Sequence, residues 1–243
     1  MAEEYVSLAE WRNKCEAVKA FSEAQIWVHK HLIHFTLFFF ITGLPLISKE
    51  WFGWLAFVFG YPLSTVIGSY DPYSLGIQVA RFIHRISALG LALVLIPFLL
   101  KTLGELRRME IWPECWSFSC FKKGFKDMID FYVYRKRVTF PKYNVGQKGW
   151  IWTVIVGMVI MYVTGTVMWL RDLFPPSAWE VAHLLHDIGF FIAAIGLIIH
   201  VYMALLIPEH RPFVRAMFRT GRLTEEYVRE HHPEWHEKIE KEG

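Results

Sequence analysis

The chain has 243 residues, of which 54% are hydrophobic and 17% aromatic. That is too apolar for an ordinary soluble domain and points to a small integral membrane protein. A net charge of only +3 excludes the basic footprint of a nucleic-acid-binding protein.

In chain order, residues 1–25 read as a cytoplasmic amphipathic segment. They carry Glu3, Glu4, Glu10, Glu16 and Glu23 and lack an isolated apolar core, so a secretory signal is not expected. Ser7 and Glu10 form a capping-box pattern. Leu8, Trp11, Cys15 and Val18 follow at helical spacing, a stripe suited to a membrane surface or to packing on the rest of the protein.

The membrane domain covers residues 26–207. Four spans fall at about 26–47, 77–100, 149–170 and 181–207, each near the ~20 residues a helix needs to cross a bilayer. Residues 51–68 are a fifth apolar stretch, but they are short and Pro62 interrupts them. Basic residues arbitrate. The 101–148 connection carries eleven Lys and Arg, and the tail at 208–243 carries seven. The 171–180 connection has only Arg171. Four spans put every basic region, and both termini, on the cytoplasmic side, as the positive-inside rule requires. A fifth span would break that pattern, so 51–68 is expected to be re-entrant or interfacial on the outer face. The fold class is all-α: a four-transmembrane-helix bundle in a prokaryotic cytoplasmic (inner) membrane.

Cys115 and Cys120 lie in the basic loop. Three cysteines make neither a disulfide framework nor an iron–sulfur motif; Cys115 and Cys120 could pair or bind a metal, but a cytoplasmic loop keeps thiols reduced, so free thiols are expected.

Ionisable residues inside spans are costly and mark functional sites. His29 opens span one, His84 lies early in span two, and His186 and His200 sit at the two ends of span four. Fourteen residues return a helix to within about 40° of its starting direction and advance it about 21 Å. His186 and His200 therefore leave one face, one near each membrane surface. The topology gives His29 and His200 the inner depth and His84 and His186 the outer depth. Facing neutral imidazoles can supply both axial ligands of a b-type haem iron, so two haem b groups are expected. No Cys-x-x-Cys-His is present, which excludes covalent haem. His31 and His34 are alternatives to His29, and His183 to His186. Arg81 and Arg85 flank His84 and suit haem propionates at the outer surface, or interfacial snorkelling. Gly43, Gly90, Gly165 and Gly196 allow close approach, by a macrocycle or by another helix.

Pro141-Lys-Tyr-Asn-Val-Gly-Gln-Lys148 resembles the Lys-Tyr-Asn-x-Gly-Gln-Lys signature of cytochrome b (gamma) subunits of membrane formate dehydrogenases. Thr42-Gly-Leu44, thirteen residues after His29, resembles that family's first helix and selects His29 over His31. The chain departs from the family at Lys30, where an aromatic is frequent. His200-Val-Tyr-Met-Ala204 resembles the end of its fourth helix. Met217, Gly221 and His231-His-Pro-x-Trp235 resemble its C-terminal tail. Related cytochromes serve thiosulfate reductases and nickel–iron hydrogenases. The resemblance implies a di-haem bundle with His29 and His200 on the inner haem and His84 and His186 on the outer one. It places Asn144, Gly146 and Gln147 at a quinone, menaquinone or ubiquinone, that takes electrons from a partner iron–sulfur subunit and catalytic dehydrogenase. Amides suit a quinone carbonyl and glycine leaves room for a ring. No primary dehydrogenase motif occurs in the chain itself. The rival readings are a haem-free transporter or anchor whose histidines relay protons, and a stand-alone haem oxidoreductase of the ascorbate type.

Overall fold

A computed structural model describes residues 18–242. The amphipathic stripe expected from Ser7 onward lies, except for Val18, outside the described residues. The chain falls into two compact units: residues 23–104, and residues 105–242 together with 18–22.

The first unit contains α1 (Glu23–Ile47), α2 (Lys49–Ile67) and α3 (Pro72–Thr102). Only Ser48 separates α1 from α2; its hydroxyl accepts the Trp51 N–H and caps α2. Gly68, with φ of 71°, ends α2 in the left-handed conformation that glycine adopts without strain. Asp71 then caps α3 through the Ser74 N–H, with Pro72 at the first helical position. This cap explains why α3 starts a full turn before the apolar run at residue 77.

The expected break at Pro62 does not occur. Pro62 removes one backbone donor, yet α2 continues to Ile67. Close packing on α3 holds it. A Cβ on Gly60 would lie 1.7 Å from the Pro72 carbonyl oxygen, and one on Gly76 would lie 1.7 Å from that of Ala56. Ala56 and Ala80 are fully buried beside this crossing. Small residues four apart let the two backbones touch. α1 meets α3 further along, with Thr42 at His84 and Phe35 at Gly90. Thus α2 covers the first turns of α3, beyond the stretch that α1 covers. Among the described residues four helices are long and apolar enough to cross a membrane; α1 and α3 are two of them, and α2 is not one.

The second unit contributes the other two, α5 (Val145–Trp169) and α6 (Pro176–Leu206). They run antiparallel, with Thr164 at His186, Met161 at Gly189 and Trp150 at His200. α4 (Phe118–Tyr132) precedes them, capped by Ser117. After α6 come the short helix α7 (Arg211–Arg215), a π turn at Ala216–Thr220, α8 (Glu225–His231) and α9 (Pro233–Glu242). Two short strands interrupt the helical pattern: β1 (Val18–Lys19) pairs antiparallel with β2 (Arg222–Leu223).

Cys115 and Cys120 form a disulfide, against the expectation of free thiols. Their Cα atoms are 6.2 Å apart across the turn that Ser117 caps, a separation a disulfide spans. Spacing in the sequence carried no sign of that turn.

Candidate functional site

Two membrane histidines are held in the same way in different units. In the first, the Thr42 hydroxyl donates to the Phe38 carbonyl at 2.6 Å, one turn back on α1. The same oxygen lies 2.9 Å from His84 Nδ1. A hydroxyl has one proton, and the carbonyl takes it. His84 must then donate Nδ1–H to Thr42, which leaves the lone pair on Nε2. In the second unit, Thr164 donates to the Ile160 carbonyl at 2.7 Å and lies 2.9 Å from His186 Nδ1. Both threonines are buried. Both are followed by a glycine against the ring they hold. A Cβ on Gly43 would sit 3.6 Å from His84 Cε1, and one on Gly165 would sit 3.4 Å from His186 Cε1. In its neutral form each imidazole then presents Nε2 as an acceptor, the tautomer in which histidine ligates a metal.

The other two histidines are placed differently. His200 stacks on Trp150, with ring centroids 5.8 Å apart at 24°. Trp150 is seated by Gly196, where a Cβ would meet the indole at 2.1 Å. Gly196 and Gly90, which packs on Phe35, are therefore spaces filled by aromatic rings. On α1, His29 has its Nδ1 atom sealed from solvent. His31 instead lies over the Trp27 ring at 4.3 Å and bonds the Trp27 carbonyl through Nδ1 at 2.8 Å. His34 is exposed beside it. His183 pairs with Asp187 at 3.4 Å. Arg81 and Arg85 are both exposed on either side of His84.

The 141–148 segment is a polar clasp at the start of α5. Asn144 caps the helix: its Oδ1 accepts the Gln147 N–H and Gln147 Oε1 accepts the Asn144 N–H, each at 2.9 Å. Asn144 Nδ2 donates to the Tyr132 hydroxyl at 3.0 Å, and that hydroxyl bonds His210 Nε2 at 2.8 Å. The capping box takes Asn144 Oδ1 and Tyr132 takes Asn144 Nδ2, while the Gln147 NH₂ group lies outside the box. Gly146 brings its N–H to 3.1 Å from Met128 Sδ, and a Cβ there would meet the Met128 methyl at 2.6 Å. Lys148 is buried and paired with Glu114 at 2.7 Å.

The tail closes on this clasp. His232 Nδ1 bonds the Pro141 carbonyl at 2.8 Å. Lys142 donates to the Ala20 carbonyl at 2.6 Å and is ringed by Phe21, Tyr143 and Trp235. Burial lowers the Lys142 ammonium to about 8, and it raises the Tyr132 phenol to about 12. Burial also lowers His210 and His232, which favours their neutral forms.

Sequence reasoning missed Thr42 and Thr164 as the groups that hold the imidazoles. The signal was present, since Thr-Gly recurs at 42–43 and 164–165. It also missed Tyr132, His210 and Trp150, whose contacts only the folded chain brings about.

A sequence model described as prokaryotic cytochrome b561 matches residues 31–220, which include His84, His186 and His200 and begin two residues after His29. The chain is 34% identical over 98 residues to a formate dehydrogenase cytochrome b556 subunit of Haemophilus influenzae, covering 39% of this chain and 40% of that one. It is 29% identical over 103 residues to the nitrate-inducible formate dehydrogenase cytochrome b556(Fdn) subunit of Escherichia coli, covering 41% and 46%. For the cytochrome b556(fdo) subunit of the same species the identity is 29% over 104 residues, covering 41% and 47%. The matched stretches span less than half the length of these relatives.

Proposed function

The chain belongs to the prokaryotic cytochrome b561 family, which implies haem b, and from that membership we propose that it is the di-haem b membrane subunit of a formate dehydrogenase-like complex. The observation that carries this reading is the repeated hold on His84 and His186, which presents Nε2 in both hairpins. His84 and His186 are the proposed ligands at one depth, and His29 and His200 at the other. Bound haem supplies one-electron transfer between the two membrane surfaces. Arg81 and Arg85 offer guanidinium groups to propionates. Thr42 and Thr164 keep their imidazoles in the ligating tautomer and orient the rings.

The proposed quinone place is Asn144, Gly146 and Gln147. The free amide N–H of Gln147 is the donor suited to a quinone carbonyl, while Asn144 holds Tyr132 and the helix start. Menaquinone and ubiquinone share that carbonyl. An iron–sulfur subunit and a catalytic dehydrogenase subunit are the proposed partners; the relatives are by name subunits of formate dehydrogenases. The termini and the basic 101–148 loop are assigned to the cytoplasmic side.

A dithionite-minus-oxidised spectrum of the purified chain tests the reading. Alpha and Soret bands of b type with two haems per chain are expected, and His200→Ala should retain one haem. A colourless protein overturns the function. A His200→Ala protein with both haems overturns the ligand set.

A further inference from the structure

α4 is sharply two-sided. At 100° per residue, Gly124, Met128, Phe131 and Tyr132 share one arc. That arc faces the protein: Gly124 lies against Val145, Met128 against Gly146, Phe131 against Phe140 and Tyr132 against Asn144. A partly overlapping arc carries Phe121, Phe125, Phe118 and Ile129, and these side chains are exposed. Phe118 is 80% exposed, Phe121 57% and Phe125 52%. Lys122, Lys126 and Lys123 follow on the far side, and none has an acidic partner among the described residues. Trp116 before the helix and Val133 and Tyr134 after it are exposed as well.

The depth of this stripe is set by its contacts. Val145 and Gly146 are the first residues of α5, one of the four helices long enough to cross a membrane. α4 therefore lies level with the end of a span, where the acyl region meets the headgroups. There an aromatic stripe can enter the hydrocarbon edge while adjacent lysines snorkel to phosphates. We propose that α4 is an in-plane membrane helix that docks Phe118, Phe121, Phe125 and Ile129 into the leaflet next to the basic loop, with Lys122, Lys123 and Lys126 on anionic glycerophospholipid headgroups. The partner is a lipid surface because the stripe lies beside the first turn of a helix long enough to span, and an anionic one because three lysines without acidic partners among the described residues border it.

Spin labels placed in the full chain test this, with Cys15, Cys115 and Cys120 replaced by serine. Nitroxides at Phe121→Cys and Phe125→Cys, with Lys123→Cys as control, are read by power saturation in nanodiscs of phosphatidylglycerol or of phosphatidylcholine. The expected result is several-fold greater access of oxygen than of a nickel chelate at 121 and 125, and the reverse at 123. The contrast should shrink in phosphatidylcholine and in the Lys122→Glu, Lys126→Glu double variant. Equal nickel access at all three sites places the helix in water and overturns the proposal. Shielding of 121 and 125 from both reagents means that a protein covers the stripe, and equally overturns it. Equal insertion in both lipids overturns the anionic assignment. If the cysteine-free chain fails to fold, hydrogen exchange on the unaltered chain replaces the labels. Amides of residues 118–132 should then exchange more slowly in phosphatidylglycerol than in phosphatidylcholine, and equal rates overturn the proposal.

Discussion

The two membrane hairpins, α1 with α3 and α5 with α6, solve one problem in the same way and another differently. Each holds a histidine by a buried threonine whose proton is spent on its own backbone, with a glycine next to the ring. Away from that shared device they diverge. α6 carries a second histidine, and α5 supplies Trp150 to stack on it. In the other hairpin the second histidine sits on α1 itself, with its Nδ1 atom buried. The shared end points to a function that both hairpins must meet with equal geometry. The differing ends place their histidines by other means, a stacked indole at His200 and a buried Nδ1 at His29.

The largest effect that can break this comparison is ligand loss. His84→Ala and His186→Ala should each lower the haem content by one per chain and leave the same residual spectrum, measured by pyridine haemochrome and low-temperature difference spectra. Two different residual spectra would mean that the hairpins do not serve one haem. Next in size, Gly76→Ala should destabilise the first unit, where α3 packs on α2. Its Cβ meets a backbone oxygen at 1.7 Å, which no rotamer can relieve. Overpacking of that kind costs on the order of 1–3 kcal/mol or more. Thermal unfolding in detergent should fall accordingly, and Gly149→Ala, in open space, should not change it.

Thr42→Val and Thr164→Val sharpen the likeness further. Each removes the acceptor for an Nδ1–H, worth about 1 kcal/mol. A less electron-rich imidazole stabilises the oxidised iron less, so the midpoint potential should rise by roughly a few tens of millivolts, since 59 mV is tenfold for one electron. The Ser variants should restore it. Equal shifts support one shared device; a shift in only one variant breaks the comparison. The smallest effect concerns the clasp. His210 and His232 are held below their ordinary value of 6.5 by burial. The unfolded segment then binds more protons than the folded one below about pH 6.5, and stability is lost as pH falls from there. Trypsin cleavage within 211–241 should accelerate on acidification, and His232→Gln should flatten that dependence.

Much of this was legible in the sequence because apolar periodicity and misplaced histidines are strong signals. The four long helices and the family resemblance stood on residues that can be read one at a time. What was not legible depends on contacts. Thr164 is an unremarked hydroxyl until α6 brings His186 to it. Pro62 predicts an interruption unless Ala56 and Gly60 are seen to lock α2 onto α3. Asn144 and Gln147 read as ligand groups, yet half of their polar atoms serve to start a helix. The basic loop hides a two-sided helix, because its lysines signal charge while Phe118, Phe121 and Phe125 line up only once the segment is helical.

β1 and β2 carry a consequence for biosynthesis. Val18 leaves the ribosome long before Leu223, yet they pair, and Lys142 is enclosed only when Ala20, Phe21 and Trp235 have all arrived. The four long helices can thus leave the translocon one after another while the clasp stays open. Its closure waits for the stretch from Arg222 to Trp235, so the surroundings of Lys142 are completed only after all four long helices have been made.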